Sequence, residues 1–168
     1  PKSYYPEYTY KWENYLYACG KCNLEKSNRY AILVEENNAV IELERDWKGK
    51  DIPPPPGIHL LFNPREEDAL MHLEINPISG EYAPIEGIDS LASMRCEYTL
   101  AVLKLNARTD LAKKRVSSYR TYRARLREYV EEKNAGATIE HLANLAQDVK
   151  NVDCPSVWQQ MKKDAHII

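Results

Sequence analysis

The chain has one phenylalanine against twelve tyrosines, only four cysteines, and no long apolar run. Nothing approaches the roughly 20 apolar residues of a bilayer span, which excludes a transmembrane helix, and no segment has the layout of a signal peptide. Four cysteines in 168 residues are too few for a disulfide scaffold. Charge of neither sign dominates. Lys and Arg number 23, Asp and Glu 25, and the formal net charge is -2, so whole-chain charge selects no polyanionic partner. Any nucleic-acid surface has to be a local patch. A GxxxxGK(S/T) phosphate loop is missing, so the chain is not itself a P-loop ATPase. No internal repeat is visible.

What is present divides into a strand-forming first part and a helical second part. The length allows one domain or two small ones, with a real core. Six tyrosines fall within Tyr4–Tyr17, so that segment has many amphipathic rings to pack. Tyr15–Ala18 reads as a short strand, and Cys22–Arg29 as two helical turns. Residues 31–47 alternate about Asn37-Asn38, which predicts a hairpin. The run Pro53–Pro56 is a stiff polyproline connector. Ile58–Phe62 predicts a strand, and Asn63-Pro64 a turn into an acidic segment ending at His72-Leu73. Leu91, Met94, Tyr98, Ala101 and Leu105 mark one face of a helix that starts near Asp89 and is broken by Asn106. Ala112, Val116, Tyr119, Leu126 and Val130 mark a longer helix, from a Thr109-Asp110 cap to about Asn134-Ala135-Gly136. Ile139, Leu142, Ala146 and Val149 predict a third helix, and Pro155 opens a short fourth. The expected class is α+β, with residues 1–57 as one module and 58–168 as a mostly helical domain.

The chemistry is concentrated in Cys19-Gly20-Lys21-Cys22-Asn23, with Asn14 five residues before the first thiol. Two thiols two residues apart can hold one metal ion, and structural zinc commonly uses two such pairs. The bland alternatives are a redox pair or two core cysteines, although a thioredoxin-like site expects a βαβ context that is missing here. Cys96, just off an apolar stripe, reads as a small buried hydrophobe, and Cys154 as a cysteine with nothing around it to favour metal. Taken alone, Asn14 and Asn23 are ordinary cap or turn residues. His59 and His72, one on a presumed strand and one after an acidic turn, read as hydrogen-bonded structural residues before they read as ligands.

The spacing Pro-x-Ser, a gap, then Trp-x-Asn-x-x-x-x-Cys-x-x-Cys-Asn-x-x-Lys over Pro1–Lys26 resembles the HNH (ββα-metal) endonuclease family. Further landmarks sharpen the likeness: Leu60-Leu61-Phe62-Asn63-Pro64-x-x-Glu67-Asp68, His72-Leu73, Glu97-Tyr98 and Leu105-Asn106. These are similar to the nuclease subunit of Septu anti-phage systems, the PtuB type, also found beside some retrons. The resemblance runs with gaps over most of residues 1–130. It implies a small zinc-bound ββα unit leading into a helical body, in a bacterial, cytoplasmic protein that works beside an ABC-type ATPase subunit. It places the general-base histidine and two more thiols upstream of Pro1, so the chain is expected to be a fragment or the ordered part of something longer. Cys19 and Cys22 would bind structural zinc. Asn23 would offer its amide oxygen to a catalytic divalent ion such as Mg²⁺, which prefers oxygen ligands. Asn14 would hold the histidine-bearing loop. Lys26 and Arg29 would meet backbone phosphates, or serve only as solvated helix charges. Residues 31–57 are longer than the pattern expects.

From Arg108 to Arg127 there are eight Lys or Arg residues against one acid, Asp110, with Tyr119 and Tyr122 interleaved. Such a stripe attracts phosphate backbones, and tyrosines can stack on unpaired bases. Arg120, Arg123 and Arg127 recur at helical spacing and can meet one partner together. That partner is DNA, RNA or an acidic protein, or else the stripe is a solvated face. Two functions are therefore in play. One is a metal-dependent nucleic-acid phosphodiesterase of a defence complex; the other is a non-catalytic zinc-ribbon adaptor binding nucleic acid or a partner ATPase.

Overall fold

The computed structural model of the chain describes residues 18–42 and 56–152, together with Cys154, Val157, Met161 and Lys162. Its elements are mixed α and β: α1 (Gly20–Lys26), β1 (Ala31–Val34), β2 (Ala39–Glu42), β3 (Ile58–His59), a 3-10 turn (Ala69–Met71), β4 (Leu73–Ile75), β5 (Tyr82–Pro84), α2 (Ser90–Leu103), α3 (Thr109–Asn134) and α4 (Ile139–Lys150). The class is α+β. Of the expected strand at Tyr15–Ala18, Tyr15–Tyr17 lie outside the described residues and Ala18 is not in a strand; most of the polyproline run also lies outside the described residues. Among the described residues, no helix is long and apolar enough to cross a membrane.

Two compact units share the chain. One holds the described parts of Pro1–Ala69 and Ile88–Leu105, the other those of Leu70–Gly87 and Asn106–Ile168. By this division α2 belongs with the first hairpin, and the β4–β5 hairpin with α3 and α4.

In the first unit an antiparallel sheet runs in the order β2-β1-β3. Ile32 faces both Ile41 and His59, and Leu33 faces Val40 and Ile58. Because β1 is central and covered on both faces, Ala31, Ile32 and Leu33 are all buried in succession. The edge strand β2 alternates instead, with Val40 and Glu42 exposed. The hairpin turns where expected. Asn38 takes φ 53, a left-handed value that asparagine tolerates, and Asn37 Oδ1 accepts the Ala39 N–H at 3.0 Å.

β3 is shorter than the expected Ile58–Phe62, for a reason that lies in α2. Arg95 Nε donates to the His59 carbonyl at 2.9 Å, and the Phe62 N–H donates to Thr99 Oγ1 at 3.3 Å, so α2 takes the groups that a longer ladder would use. α2 begins as expected, with Asp89 Oδ1 accepting the Ala92 N–H at 2.9 Å. It ends at Leu103, before Asn106, where Lys104 adopts a left-handed φ of 48. Its most buried line is Ala92, Cys96, Thr99 and Val102, one position away from the expected face. Leu91 and Tyr98 still pack on the sheet, whereas Met94 and Ala101 are exposed. Small side chains, Ala92, Cys96 and Thr99, make up most of the buried line, and the larger Leu91 and Tyr98 are half-buried beside it. Cys96 is fully buried as a small hydrophobe, and burial pushes its thiol pKa up.

In the second unit, α3 and α4 enclose a core of Tyr122, Leu126, Tyr129, Leu145, Val149, Val152, Cys154, Val157 and Met161. Cys154 is thus a core residue. Val157 and Met161 are helical, in keeping with a short fourth helix, while Pro155 lies outside the described residues. Thr138 Oγ1 caps α4 by accepting the His141 N–H at 3.3 Å, but Ile139, counted on the inner face from sequence, is 88% exposed. The cap of α3 is Arg108 rather than Thr109-Asp110. No side-chain bond closes that cap, and Asp110 pairs with Arg108 at 2.6 Å instead.

The β4–β5 hairpin docks on α3 through two side chains. The Asn106 carboxamide accepts from the Tyr82 N–H at 2.8 Å and donates to the Tyr82 carbonyl at 2.9 Å. Tyr82 lies opposite Ile75 at a position whose backbone groups point away from β4, so the amide of Asn106 stands in for a further strand. Arg115 reaches from α3 to the carbonyl of Gly80 at 2.8 Å and lies 4.1 Å over the Tyr82 ring.

Candidate metal-binding turn and basic helix face

α1 starts two residues earlier than the sequence suggests, at Gly20 rather than Cys22, because a sulfur caps it. Cys19 is the N-cap in extended conformation, and its Sγ accepts the Cys22 N–H at 3.3 Å. Cys22 therefore lies in the first turn, and the Asn23 N–H bonds to the Cys19 carbonyl at 3.0 Å. Both thiols sit at the positive end of the helix, with an N–H aimed at the sulfur that would carry charge in a metal-bound thiolate. Cys19 is exposed and Cys22 half-buried, and the Asn23 side chain is exposed immediately after them. Soft thiolates of this spacing suit zinc, and a carboxamide oxygen suits a hard divalent ion. Among the described residues, no group of three or more His, Cys, Asp or Glu side chains is placed to hold a metal ion. Asn14 lies outside the described residues.

The charges around this turn are partly committed. Glu25 of α1 pairs with Lys104 at 2.7 Å, which ties α1 to the end of α2. Arg29 Nε lies 3.8 Å from Glu42 Oε1, so the charge proposed for phosphate already has an acidic neighbour. Lys26, in the last turn of α1, is half-buried. Glu42 also accepts from the Tyr30 N–H at 3.1 Å and from the Tyr98 hydroxyl at 2.9 Å. Burial first, and then that bond to a carboxylate, push the Tyr98 pKa well up.

His59 hydrogen-bonds through Nδ1 to the Tyr30 hydroxyl, and its ring stacks obliquely on Tyr30 with centroids 5.4 Å apart. Tyr30 has a raised pKa, chiefly from burial and then from Glu66. The carbonyl of His72 accepts the Ile85 N–H at 3.0 Å. His59 is thus tied into the hydrogen-bonding of the fold through its ring, and His72 through its main chain.

Several landmark residues also hold the fold together. Glu67 receives both guanidinium nitrogens of Arg95, which lies 4.4 Å over the Phe62 ring. Asn63 accepts at its side chain from the Arg65 N–H at 3.2 Å. The clamp made by Arg95 was not anticipated from sequence. Its position between Ala92 and Thr99, beside the small residues that α2 buries, is the signal that could have found it.

The basic run of α3 separates into two sets. Arg115 is only 4% exposed and serves the β4–β5 hairpin. Arg108 pairs with Asp110, and Arg125 Nη1 donates to the Asp148 carbonyl at 2.6 Å. Tyr122 is 0% exposed in the core, so it cannot stack on bases, and Tyr119 packs against that core with its ring 6.3 Å from that of Tyr122. The sequence expectation of interleaved stacking tyrosines is corrected here. Arg115, Tyr122, Leu126 and Tyr129 form the buried line, at spacings of seven, four and three that the sequence already contains. Lys113, Arg120, Arg123 and Arg127 remain exposed on the other side. Lys26 and Arg29 belong to the first unit, and these α3 cations to the second.

Compared with protein-family models, with curated proteins and with solved structures, the chain matches none.

Proposed function

We propose that this chain is a metal-dependent endonuclease subunit of the HNH kind, acting on nucleic acid beside an ABC-type ATPase in a cytoplasmic anti-phage complex. The observation that carries the reading is the head of α1: Cys19 Sγ caps the helix, Cys22 follows in the first turn, and an exposed Asn23 comes next. This arrangement suits half a structural zinc knuckle running directly into an oxygen ligand for a second ion. A divalent ion there would supply charge stabilisation to a phosphodiester undergoing hydrolysis. The residues of this chain would then act as follows. Cys19 and Cys22 hold the turn rigid, Asn23 orients its amide oxygen outward, and Asn14 steadies the loop bearing the general base. Lys26 approaches the phosphate, with Arg29 the weaker candidate because Glu42 lies beside it.

The test uses protein expressed from the whole reading frame. Metal analysis should find zinc, and Cys19→Ser should remove it and destabilise the fold, since loss of a structural site costs folding free energy outright. Asn23→Ala should lower the cleavage rate about 100-fold while changing nucleic-acid binding only a few-fold, as expected of a group acting on the transition state. Absence of zinc defeats the knuckle. Zinc present with no cleavage under any divalent ion turns the assignment to a zinc-ribbon adaptor.

A further inference from the structure

The exposed face of α3 is chemically uniform. At about 100° per residue, Lys113, Arg120, Arg123 and Arg127 fall within about 80° of one another around the helix. That sector is opposite the buried line through Arg115, Tyr122 and Tyr129. Among the described residues none of the four is ion-paired. Every other exposed position between Lys113 and Arg127 is Lys114, Ser117, Thr121 or Ala124. Thr121 turns its hydroxyl back onto the Ser117 carbonyl at 3.1 Å. The stretch therefore carries positive charge, small side chains between the cations, no acid and no large apolar group.

That composition decides between partners. A protein interface sets its arginines around a desolvated aromatic or aliphatic centre, and this face offers the arginines without any apolar centre. A single-strand surface needs exposed aromatic platforms, whereas Tyr122 is fully buried and Tyr119 packs on the core. A duplex backbone needs only spaced cations that small neighbours let come close. The row Lys113, Arg120, Arg127 advances about 10.5 Å per step and spans about 21 Å in all. The step is close to the roughly 12 Å of the B-form major groove, whose two phosphate rails successive side chains can reach. The A-form major groove is deep and narrow and does not offer that spacing. We infer that this face of α3 is a sequence-independent clamp on the phosphate backbone of double-stranded DNA. The clamp deepens the nucleic-acid reading above and rests on it, but it stands on residues of the other unit.

The experiment measures equilibrium binding of the protein, with no added divalent ion, to a mixed-sequence 20-base-pair DNA duplex between 50 and 200 mM salt (a range of about fourfold). Single-stranded DNA and duplex RNA serve as parallel arms. Replacing Arg120, Arg123 and Arg127 with Gln should lower the slope of log affinity against log salt by about three units and weaken binding on the order of 100-fold at 0.1 M salt. Replacing the same three with Lys should largely preserve both. Unchanged slope and affinity in the Gln variant overturn the clamp, and so does single-stranded DNA or duplex RNA bound as tightly as the DNA duplex. Loss of a co-purifying protein with duplex binding intact assigns the face to that protein instead and overturns it too. Should the Gln variant lose its helical circular dichroism, the Lys variant and Arg120→Gln alone give the slope comparison. Absence of cleavage by the wild-type protein bears on the nuclease assignment and leaves this binding measurement standing.

Discussion

Gly80→Ala isolates the force with which the β4–β5 turn is held on α3. Gly80 has φ +74, and a Cβ built there would lie 2.3 Å from the Ala112 carbonyl oxygen and 3.0 Å from Val116 Cγ2. Gly136, past the end of α3, has φ +80 and nothing within 4 Å. Gly136→Ala therefore measures left-handed strain alone, about 1 kcal/mol. Gly80→Ala bears the same strain and adds an overlap with helix backbone that cannot swing aside, so the turn has to lift. Lifting loosens the Arg115 bond to the Gly80 carbonyl, worth about 1.5–3 kcal/mol for a charged donor, and the guanidinium stacking on Tyr82, worth about 0.5–2 kcal/mol. One displacement disturbs both, so the losses do not simply add. The expected excess over Gly136→Ala is about 2–4 kcal/mol. Urea denaturation followed by far-ultraviolet circular dichroism measures both variants side by side. If Gly80→Ala falls within about 0.5 kcal/mol of Gly136→Ala, the turn is not clamped and the role given to Arg115 fails with it.

What the sequence made legible is what short-range physics decides. The start of α2 at Asp89, the end of α3 near Asn134-Ala135-Gly136 and the turn at Asn37-Asn38 all depend on residues within four positions, and all are found where expected. The Cys19–Cys22–Asn23 turn was legible for the same reason. Its helix starts two residues early, because Cys19 offers a sulfur cap that a list of Ser, Thr, Asp and Asn caps omits, and it ends at Lys26 rather than Arg29, where Ser27 takes a left-handed φ of 47. Illegible features depend on distant partners. β3 stops early because Arg95 and Thr99, 36 and 37 residues away from the groups they bind, take His59 and Phe62. Arg115 turns inward because Gly80, 35 residues earlier, presents a carbonyl to it. Counting charge found the basic helix correctly but could not tell that Arg108, Arg115 and Arg125 are engaged within the protein. An apolar-letter count likewise overlooked a buried arginine as a member of the inner line.

Two further outcomes follow from groups whose partners are equally distant in sequence. Asn106 both accepts from and donates to the Tyr82 backbone, so Asn106→Ala should cost about 1–2 kcal/mol in the same denaturation assay. Asn106→Asp keeps the shape but loses the donor, and should cost at least as much at pH 7 yet recover near pH 4, where the acid regains a proton. Equal stability of the Asp variant at both pH values removes the strand-mimicking role of Asn106. Tyr98 governs the alkaline limit of the first unit. Its folded-state pKa is raised, first by burial and then by the hydroxyl bond to Glu42, so folding favours the neutral phenol. The sign follows directly: this contribution is fully present below the unfolded tyrosine value of about 10 and is lost as pH rises above it through the folded value. An ionised Tyr98 would face the Glu42 carboxylate from the position its hydroxyl now occupies. Wild-type stability should therefore fall between about pH 9.5 and 11.5, and Tyr98→Phe, which cannot ionise, should fall less steeply over the same range. Tyr30, also raised by burial and by Glu66, leaves the variant some residual slope. Parallel curves for the two proteins would show that the Tyr98–Glu42 contact does not couple to folding, and that the edge of β2 is held to α2 by packing alone.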